Sequence, residues 1–167
     1  LEGLSVEKKL LHGELPASVV ISKNELFFEV DVLEGQKTGF FLDQSENYMA
    51  LSGLAEGKRV LDAFCYTGAW GLHALHYGAT SILGLDSSEK AIQQARANAV
   101  QNGMEKQASF QEEEVFNGLR RLLAKGERYD LIILDPPSFV KNRKEVKDAI
   151  RGYKEINRLA MMLLTDD

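Results

Sequence analysis

Apolar and polar positions along the 167-residue chain change their rhythm near residue 58. Downstream, short apolar runs alternate with stretches whose apolar residues recur every three or four positions, the spacing of helices packed on a core. The runs predict strands at 59–63, 81–85, 108–111 and 129–134. The stretches after them predict helices at 69–77, 88–101, 115–124 and 145–164. Repeated strand–helix units predict an α/β fold with a parallel sheet and right-handed crossovers.

Upstream of residue 58 the pattern predicts a different local structure. Val19–Ser22 and Glu25–Leu33 flank a polar pair, and apolar residues alternate along the second run, which indicates two half-buried strands. Residues 45–54 predict a helix with an acidic start, which suits a helix N-terminus. We therefore expect a small β-hairpin segment over residues 1–44 and an α/β domain over residues 45–167.

Three of the predicted strands end on or near a carboxylate. Asp62, Asp86 and Asp135 stand at these ends. Because the carboxyl ends of parallel strands meet at one edge of the sheet, the three acids should lie along that edge. Ligands of open α/β sheets bind there, so the pattern indicates a site for a nucleotide-like cofactor.

The turn after the first of these strands narrows the choice of cofactor. A pyrophosphate-binding turn carries G-x-G-x-x-G, whereas this one has only Gly68 and Gly71 among bulky side chains, which disfavours NAD or FAD. The methionine carboxylate of S-adenosylmethionine is a smaller anion that needs less open backbone. An ordinary tight strand–helix turn explains the composition equally well. The candidate cofactor contacts in this turn are Asp62, Ala63, Phe64, Cys65, Tyr66, Thr67 and Gly68.

Acids at the next two strand ends are candidates for the adenosine part. Asp86 follows Gly68 at a spacing from which a carboxylate can accept hydrogen bonds from both ribose hydroxyls. Ser87 either assists in holding the ribose or caps the next helix. Glu114, in an acidic run after the third strand, is the candidate acceptor for the adenine amino group. An exposed acidic turn is the alternative interpretation of that run.

The fourth strand ends in Asp135-Pro136-Pro137. The two prolines fix the backbone and remove two hydrogen-bond donors. The rigid turn can hold the Asp135 carboxylate and nearby carbonyls toward a planar substrate, which makes Asp135 the catalytic candidate. The alternative is that the prolines only terminate the strand.

The remaining chemically notable side chains predict structural roles. Cys65, the only cysteine, excludes an internal disulfide and fits a reducing, cytoplasmic setting. A nucleophile at Cys65 would compete with the cofactor for space, so we treat it as structural. His73 and His76 are expected to pack or face solvent, and no Cys/His cluster suggests a metal site. Met161 and Met162 are expected in the core.

Charge is distributed unevenly. The chain carries a net charge of -5, yet residues 138–158 hold seven basic and three acidic side chains. This basic segment can meet a phosphate backbone, or it can be a solvated helix face. No apolar run approaches the roughly 18 residues of a membrane span, so no membrane association is expected.

Four segments of the chain carry a resemblance to a known family: Glu34–Gln44, Phe64–Gly68, Asp135–Phe139 and Arg151–Asn157. Together they resemble the class I S-adenosylmethionine-dependent methyltransferases. More narrowly, they look like the bacterial large-subunit ribosomal RNA cytosine-5 methyltransferases that carry an N-terminal PUA domain. The resemblance runs from about residue 15 to the end, and its most specific part is residues 35–44.

The resemblance implies a Rossmann-like sheet, S-adenosylmethionine as cofactor and ribosomal RNA as substrate. Phe41 and Asp43 would close the cofactor side, and Asp135 would face the base. Asp62 to Gly68 would wrap the methionine part, Asp86 and Ser87 would hold the ribose, and the adenine would be bordered by Glu113, Glu114 and Val115. RNA would meet the basic segment through Lys141, Arg143 and Lys144.

One departure from the family limits the expected activity. Family members add a cysteine thiolate to C6 of the base, and that cysteine follows the long last helix. The present chain ends before such a position and lacks the PUA domain, so we expect a C-terminally truncated fold that binds cofactor without completing the reaction. We also expect the fourth strand to be an open edge, and two copies to be able to pair.

Two other functions remain open. A methyltransferase acting on a ring nitrogen or an exocyclic amine is compatible with Asp-Pro-Pro followed by an aromatic residue. A non-catalytic RNA-binding or scaffold module that keeps the fold is the further alternative.

Overall fold

A computed structural model of the protein describes residues 10, 12–16, 18–35, 39–140 and 146–165. Two strands, β1 (Val19–Lys23) and β2 (Leu26–Val30), form an antiparallel hairpin in which Lys23 pairs with Leu26. Alternate residues of β2 are buried, as the period-two pattern predicts. The predicted strand extended to Leu33, but the chain leaves the ladder after Val30 and turns, with Val32 exposed.

The second sheet has four parallel strands in the order β5-β4-β3-β6. These strands are β3 (Arg59–Ala63), β4 (Ser81–Asp86), β5 (Ala108–Glu112) and β6 (Leu131–Leu134). The helices are α1 (Ser45–Met49), α2 (Ala69–His76), α3 (Glu89–Gln101), α4 (Val115–Ala124) and α5 (Val146–Leu163). The strand order reverses at β3, so a crevice opens beside its carboxyl end. The predicted α/β class with a parallel sheet is confirmed.

Two apolar clusters cover the two faces of the parallel sheet. Val60 belongs to the cluster that also holds Leu72 of α2 and Ile92 of α3. Its neighbour Leu61 belongs to the other cluster, together with Leu119 of α4. The alternation of side chains along β3 therefore places a pair of helices on each face.

The hairpin packs into the first of these clusters. Phe28 is fully buried there beside α2 and α3 residues. Two amides, those of Asn98 in α3 and of Asn102 at its C-terminal cap, bond the outer edge of β2. Asn102 exchanges two hydrogen bonds with the backbone of Phe27, at 2.9 and 2.7 Å, and Asn98 accepts from Glu29 N at 3.0 Å. The division of the chain at residues 44 and 45 stays a prediction.

Three sequence predictions need correction. Met161 and Met162 are 69% and 51% exposed, because α5 turns its other side toward α4, so they are not core residues. The apolar spacing over 88–101 also predicts a buried stripe that includes Val100, but Val100 is 63% exposed, because only part of this stripe meets the sheet. Residues 45–54 form a short α-helix followed by a 3-10 turn, Ala50–Gly53, rather than one continuous α-helix.

The outer side of β6 is the edge that the sequence predicted to be open. Among the described residues, no named strand pairs with β6 on that side. The edge is nevertheless occupied at its start, since Tyr129 forms a parallel bridge with Leu164 directly after α5. The Tyr129 N–H donates to Leu163 O at 2.9 Å, and Thr165 N donates to Tyr129 O at 3.0 Å.

Some predictions fall outside the described residues. These are Gln36, Lys37 and Thr38 of the resemblance motif and the basic residues Lys141, Arg143 and Lys144. In the part of the chain that the structure describes, no helix has the length and apolar character needed to cross a membrane.

Candidate functional site

A cavity of about 340 Å³ lies at the carboxyl ends of β3, β4 and β6. Four segments of the chain build its wall: the stretch before and within α1, the turn after β3, the start of the loop after β4 and the turn after β6. Of the residues predicted from sequence, those lining the cavity are Phe41, Phe64, Cys65, Tyr66, Thr67, Asp86, Ser87 and Asp135. Residues from four predicted segments, distant in sequence, therefore meet in one pocket.

The turn after β3 has an unusual backbone. Phe64 and Tyr66 have φ angles of 67° and 49°, a left-handed conformation that non-glycine residues rarely adopt, and Gly68 follows with φ 83°. A Cβ added to Gly68 would stand 2.8 Å from the Phe110 ring, so glycine is also needed for space. Strained backbone of this kind persists where surrounding structure enforces it, often at ligand sites.

Asp86 holds this turn in place. Its Oδ2 accepts the backbone N–H of Tyr66 at 2.9 Å, and its Oδ1 accepts the N–H of Ser88 at 2.9 Å. Ser88, rather than Ser87, caps α3, with its hydroxyl accepting from Ala91 N at 3.2 Å. Ser87 remains a cavity-lining residue. The Asp86 carboxylate thus both shapes the turn and presents acceptor oxygens beside the cavity.

Asp62 lies below the cavity rather than in its wall. It is fully buried, and its Oδ2 accepts the N–H of Gly71 at 2.9 Å. Its Oδ1 has no hydrogen-bond partner among the described residues. Burial, with smaller contributions from the carboxylates of Asp135 and Asp86, raises the pKa of Asp62 to about 7, although the hydrogen bond from Gly71 N–H lowers it. Ala63, next in β3, is also fully buried.

The acidic residues after β5 have other contacts. Glu113 pairs with Arg121 at 2.7 Å. Both oxygens of Glu114 accept backbone N–H groups of the first turn of α4, so this side chain is the helix N-cap. Val115 is buried in the core, and none of the three lines the cavity. Their contact with adenine stays a prediction. The predicted role of the exposed Asp43 in closing the cofactor side stays a prediction as well.

Asp135 stands on the rim opposite Asp86. Its Oδ2 accepts the indole N–H of Trp70 at 3.1 Å. Pro136 and Pro137 follow it along the cavity wall, and neither offers a backbone N–H. This part of the rim therefore presents mainly hydrogen-bond acceptors.

Sequence reasoning missed several aromatic residues of the wall, chiefly Phe40, Tyr48 and Trp70. Tyr48 is 2% exposed, and burial raises the pKa of its hydroxyl well above the usual range. Its ring stacks on His73 at a centroid distance of 4.4 Å. The local signal was weak, because these rings come from short elements whose meeting depends on the tertiary fold.

The histidine and cysteine environments are apolar. His73 is fully buried between the rings of Tyr48 and Phe28, and burial lowers its pKa to about 4. It is thus a packing residue, one of the two roles expected for it. Cys65 is buried, and burial raises the pKa of its thiol. Such a thiol is poorly suited to act as a nucleophile.

Comparison with known proteins adds relatives of known type. The sequence of the "Ribosomal RNA large subunit methyltransferase I" of Shewanella denitrificans is 46% identical over 165 residues, which is 98% of this chain and 42% of that protein. The protein of the same name from Aeromonas salmonicida is 44% identical over the same share of each chain. The present chain thus spans less than half the length of the curated relatives it matches.

Solved structures agree with this relationship. The crystal structure of SMU.776 complexed with SAH superposes with a TM-score of 0.82 at 28% identity, over 95% of this chain and 42% of that one. An S-adenosylmethionine-dependent methyltransferase from Agrobacterium tumefaciens has a TM-score of 0.81 at 24% identity, over 95% of this chain and 52% of that one, and shows the shared fold.

A family profile gives the most direct assignment. The profile described as S-adenosylmethionine-dependent methyltransferase matches residues 6–166, which is nearly the whole chain. The predicted Rossmann-like fold, methyltransferase class and cofactor, S-adenosylmethionine, are thereby confirmed. The cavity at the strand ends is lined by the Asp86 carboxylate, the tight turn after β3 and several aromatic side chains, and this lining fits the cofactor. The chain belongs to the S-adenosylmethionine-dependent methyltransferase family.

Proposed function

We propose that the protein takes part in S-adenosylmethionine-dependent methylation of large-subunit ribosomal RNA, at C5 of a cytosine. The observation that carries the proposal is the meeting of Asp86, the turn at 64–67 and Asp135-Pro136-Pro137 around one cavity. The names of relatives 46% and 44% identical over nearly the whole chain support the RNA substrate. The resemblance to cytosine-5 methyltransferases supports the target atom.

S-adenosylmethionine, when bound, supplies an electrophilic methyl group. In the proposal, Asp86 and Ser87 hold the ribose hydroxyls, and the turn from Asp62 to Gly68 surrounds the methionine part. Phe41 contacts the Tyr66 ring edge-on at a centroid distance of 5.6 Å, and both rings line the cavity. These assignments rest on the position of each residue around the cavity and on the resemblance.

Asp135 is the proposed contact to the base. A carboxylate followed by two prolines offers acceptors and no backbone N–H, which suits an amino group on the substrate. Cytosine carries such a group on C4, next to C5. Accepting from it would hold the ring edge toward the methyl donor, so Asp135 would orient the base.

The methyl transfer to carbon needs a nucleophile that the described residues do not provide. C5 becomes reactive when a thiolate adds to C6, and a base later removes the C5 proton. Cys65, the only cysteine, is buried, and burial raises the pKa of its thiol, which disfavours the thiolate. We therefore propose that the attacking thiolate does not come from Cys65.

Nucleoside analysis tests the proposal. Large-subunit RNA would be incubated with S-adenosylmethionine and the protein at the length of its curated relatives, digested, and analysed by mass spectrometry. We expect 5-methylcytidine, and a large loss of it with Asp135→Ala. A matched variant, Glu105→Ala, removes one carboxylate from the opposite edge of the sheet and should leave the yield unchanged. Absence of any methylated nucleoside would overturn the proposal.

Methylation of a nitrogen is the second candidate. The same acceptor-rich rim favours it, because a carboxylate and prolines can hold an exocyclic amine that itself receives the methyl group. Methyl transfer to an amine needs no thiolate. N4-methylcytidine or a methylated purine in the digest would support this function over the first.

The third candidate, a non-catalytic RNA-binding module, is disfavoured by the family profile. Calorimetry with S-adenosylmethionine separates it from both enzymes, since both require the cofactor. Binding with a dissociation constant below the millimolar range would support the enzymes. No binding at millimolar cofactor would leave the RNA-binding module.

The RNA partner is proposed to meet Lys141, Arg143 and Lys144, which lie beyond the described ranges. Replacing all three with Ala should flatten the dependence of RNA affinity on salt, because fewer counterions are released on binding. An unchanged slope would remove these residues from the interface. Cytoplasmic location and pairing of two copies stay predictions.

A further inference from the structure

Trp70 and Asp135 meet across the mouth of the cavity. Trp70 lies in the first turn of α2, and Asp135 directly follows β6. The indole N–H donates to Oδ2 of Asp135 at 3.1 Å, and both residues line the cavity. The bond therefore links two elements that are 65 residues apart in sequence.

Other aromatic rings pack against the indole and support it. Tyr48 contacts it edge-on at a centroid distance of 4.7 Å and an interplanar angle of 85°. Tyr48 in turn stacks on His73, and His73 stacks on Phe28 of the hairpin. Because this row of rings reaches into the buried core, the direction of the indole N–H is fixed by packing.

Asp135 is held much less firmly. Among the residues that the structure describes, the indole is the only hydrogen-bond donor to its side chain. The carboxylate stands on an exposed rim, where it could otherwise turn between rotamers. One bond from a fixed donor therefore selects one orientation and leaves the other oxygen available.

We propose that Trp70 is a positioning residue, which holds the Asp135 carboxylate so that its other oxygen meets the amino group of the base. This inference rests on the proposed function of Asp135. The indole does not need to touch the cofactor or the base for this role. Loss of the N–H should therefore weaken catalysis while cofactor binding persists.

The hydrogen bond can be tested without any activity. Trp70 is the only tryptophan, so a nitrogen-15-labelled chain has a single indole N–H signal in a proton–nitrogen spectrum. Asp135→Ala should shift this signal and speed its exchange with solvent. The matched variant Glu105→Ala, at the other edge of the sheet, should leave it in place. An indole signal that does not move in Asp135→Ala would overturn the proposal.

Kinetics test the positioning role. Trp70→Phe keeps a six-membered ring against Tyr48 and removes the N–H donor together with part of the indole ring system. The affinity for S-adenosylhomocysteine should stay within about threefold. The kcat for RNA methylation should fall by about 10- to 100-fold, since a small misplacement of a reacting group costs that much. In an Asp135→Ala background, Trp70→Phe should cause little further loss.

The outcomes separate the two proposals. Equal losses of melting temperature, cofactor affinity and kcat in Trp70→Phe would show a merely structural residue and overturn the positioning role. Losses that multiply in the double variant would overturn it as well. Absence of RNA methylation by the unmodified protein would overturn the proposed function, while the indole signal would still report whether Trp70 holds Asp135.

Discussion

The carboxylate of Asp86 accepts the backbone N–H of Tyr66 at 2.9 Å and so fastens the end of β4 to the turn after β3. The turn contains two non-glycine residues with left-handed backbone, a conformation that costs about 1 to 3 kcal/mol each. Hydrogen bonds to the end of β4 offset that cost, since Cys65 N also donates to Leu85 O at 3.0 Å. The pocket is therefore shaped before a ligand arrives.

Asp86→Ala tests the ribose assignment. We expect the affinity for S-adenosylmethionine to fall by about 1 to 3 kcal/mol, because charge-assisted hydrogen bonds to the hydroxyls are lost. Calorimetry measures the change, and Glu105→Ala serves as the control for removal of one negative charge. Since Asp86 also supports the turn, circular dichroism should first show that the variant is folded. An unchanged affinity in a folded variant would refute the assignment.

Glu114→Ala distinguishes a helix cap from an adenine contact. The carboxylate accepts two N–H groups of α4, so its loss should destabilise the protein by about 1 kcal/mol. Thermal unfolding measures this change. We expect little change in cofactor affinity, since Glu114 does not line the cavity. A parallel drop in affinity would instead support the contact that the sequence suggested.

Two buried groups should give opposite pH dependences of stability. The pKa of Asp62 is raised from 3.8 to about 7, so its contribution to the free energy of unfolding is fully present below pH 3.8 and is lost as pH rises through 7. The pKa of His73 is lowered from 6.5 to about 4, so its contribution is present above pH 6.5 and is lost as pH falls to 4. Between pH 4 and 6.5 the two trends oppose each other.

Denaturant titrations of two variants separate these trends. Asp62→Asn removes the acid, so its stability should rise with pH more steeply than that of the unmodified protein. His73→Phe removes the imidazole, so its stability should rise less steeply or fall over the same interval. The full effect of either group is on the order of 3 to 4 kcal/mol. Parallel curves for all three proteins would contradict the assigned burial effects.

Gly84→Ala should destabilise the sheet by about 1 to 3 kcal/mol, the usual cost of overpacking. An added Cβ would stand 2.4 Å from Phe110 and 2.9 Å from Cys65 Sγ. Gly53→Ala is the matched control, because nothing lies within 4 Å of its added Cβ. Thermal unfolding should show a lower melting temperature for Gly84→Ala only. Similar melting temperatures for both variants would show that the Phe110 ring can move away from the added Cβ without loss of stability.

The predicted strands and acids follow from local signals. The strand at 59–63 has the predicted bounds, because a short apolar run ends at a turn that adopts left-handed backbone. Asp86 and Asp135 line the cavity, since position at a strand end determines which edge of a parallel sheet a residue occupies. Sequence alone was therefore sufficient for the fold class and for placing Asp86 and Asp135 beside one cavity.

Other details depend on tertiary contacts. The sequence pattern could not show that Glu114 caps a helix, because an acid at a strand end can act as a helix cap or contact a ligand equally well. Met161 and Met162 were expected in the core, but helix periodicity does not say how wide a face is covered. Tyr48 and Trp70 approach the cavity from separate helices, so no local spacing linked them to Asp135.

The amides of Asn98 and Asn102 that bond β2 have a consequence for the order of folding. The hairpin can pair early, since Lys23 and Leu26 are neighbours in sequence. Its docking partners lie 69 and 75 residues further on, so the loop between them must close first. During synthesis from the N-terminus, the edge of β2 that these amides bond stays unpaired until α3 has left the ribosome. An unpaired strand edge is prone to misassociation, so the early hairpin needs protection until then.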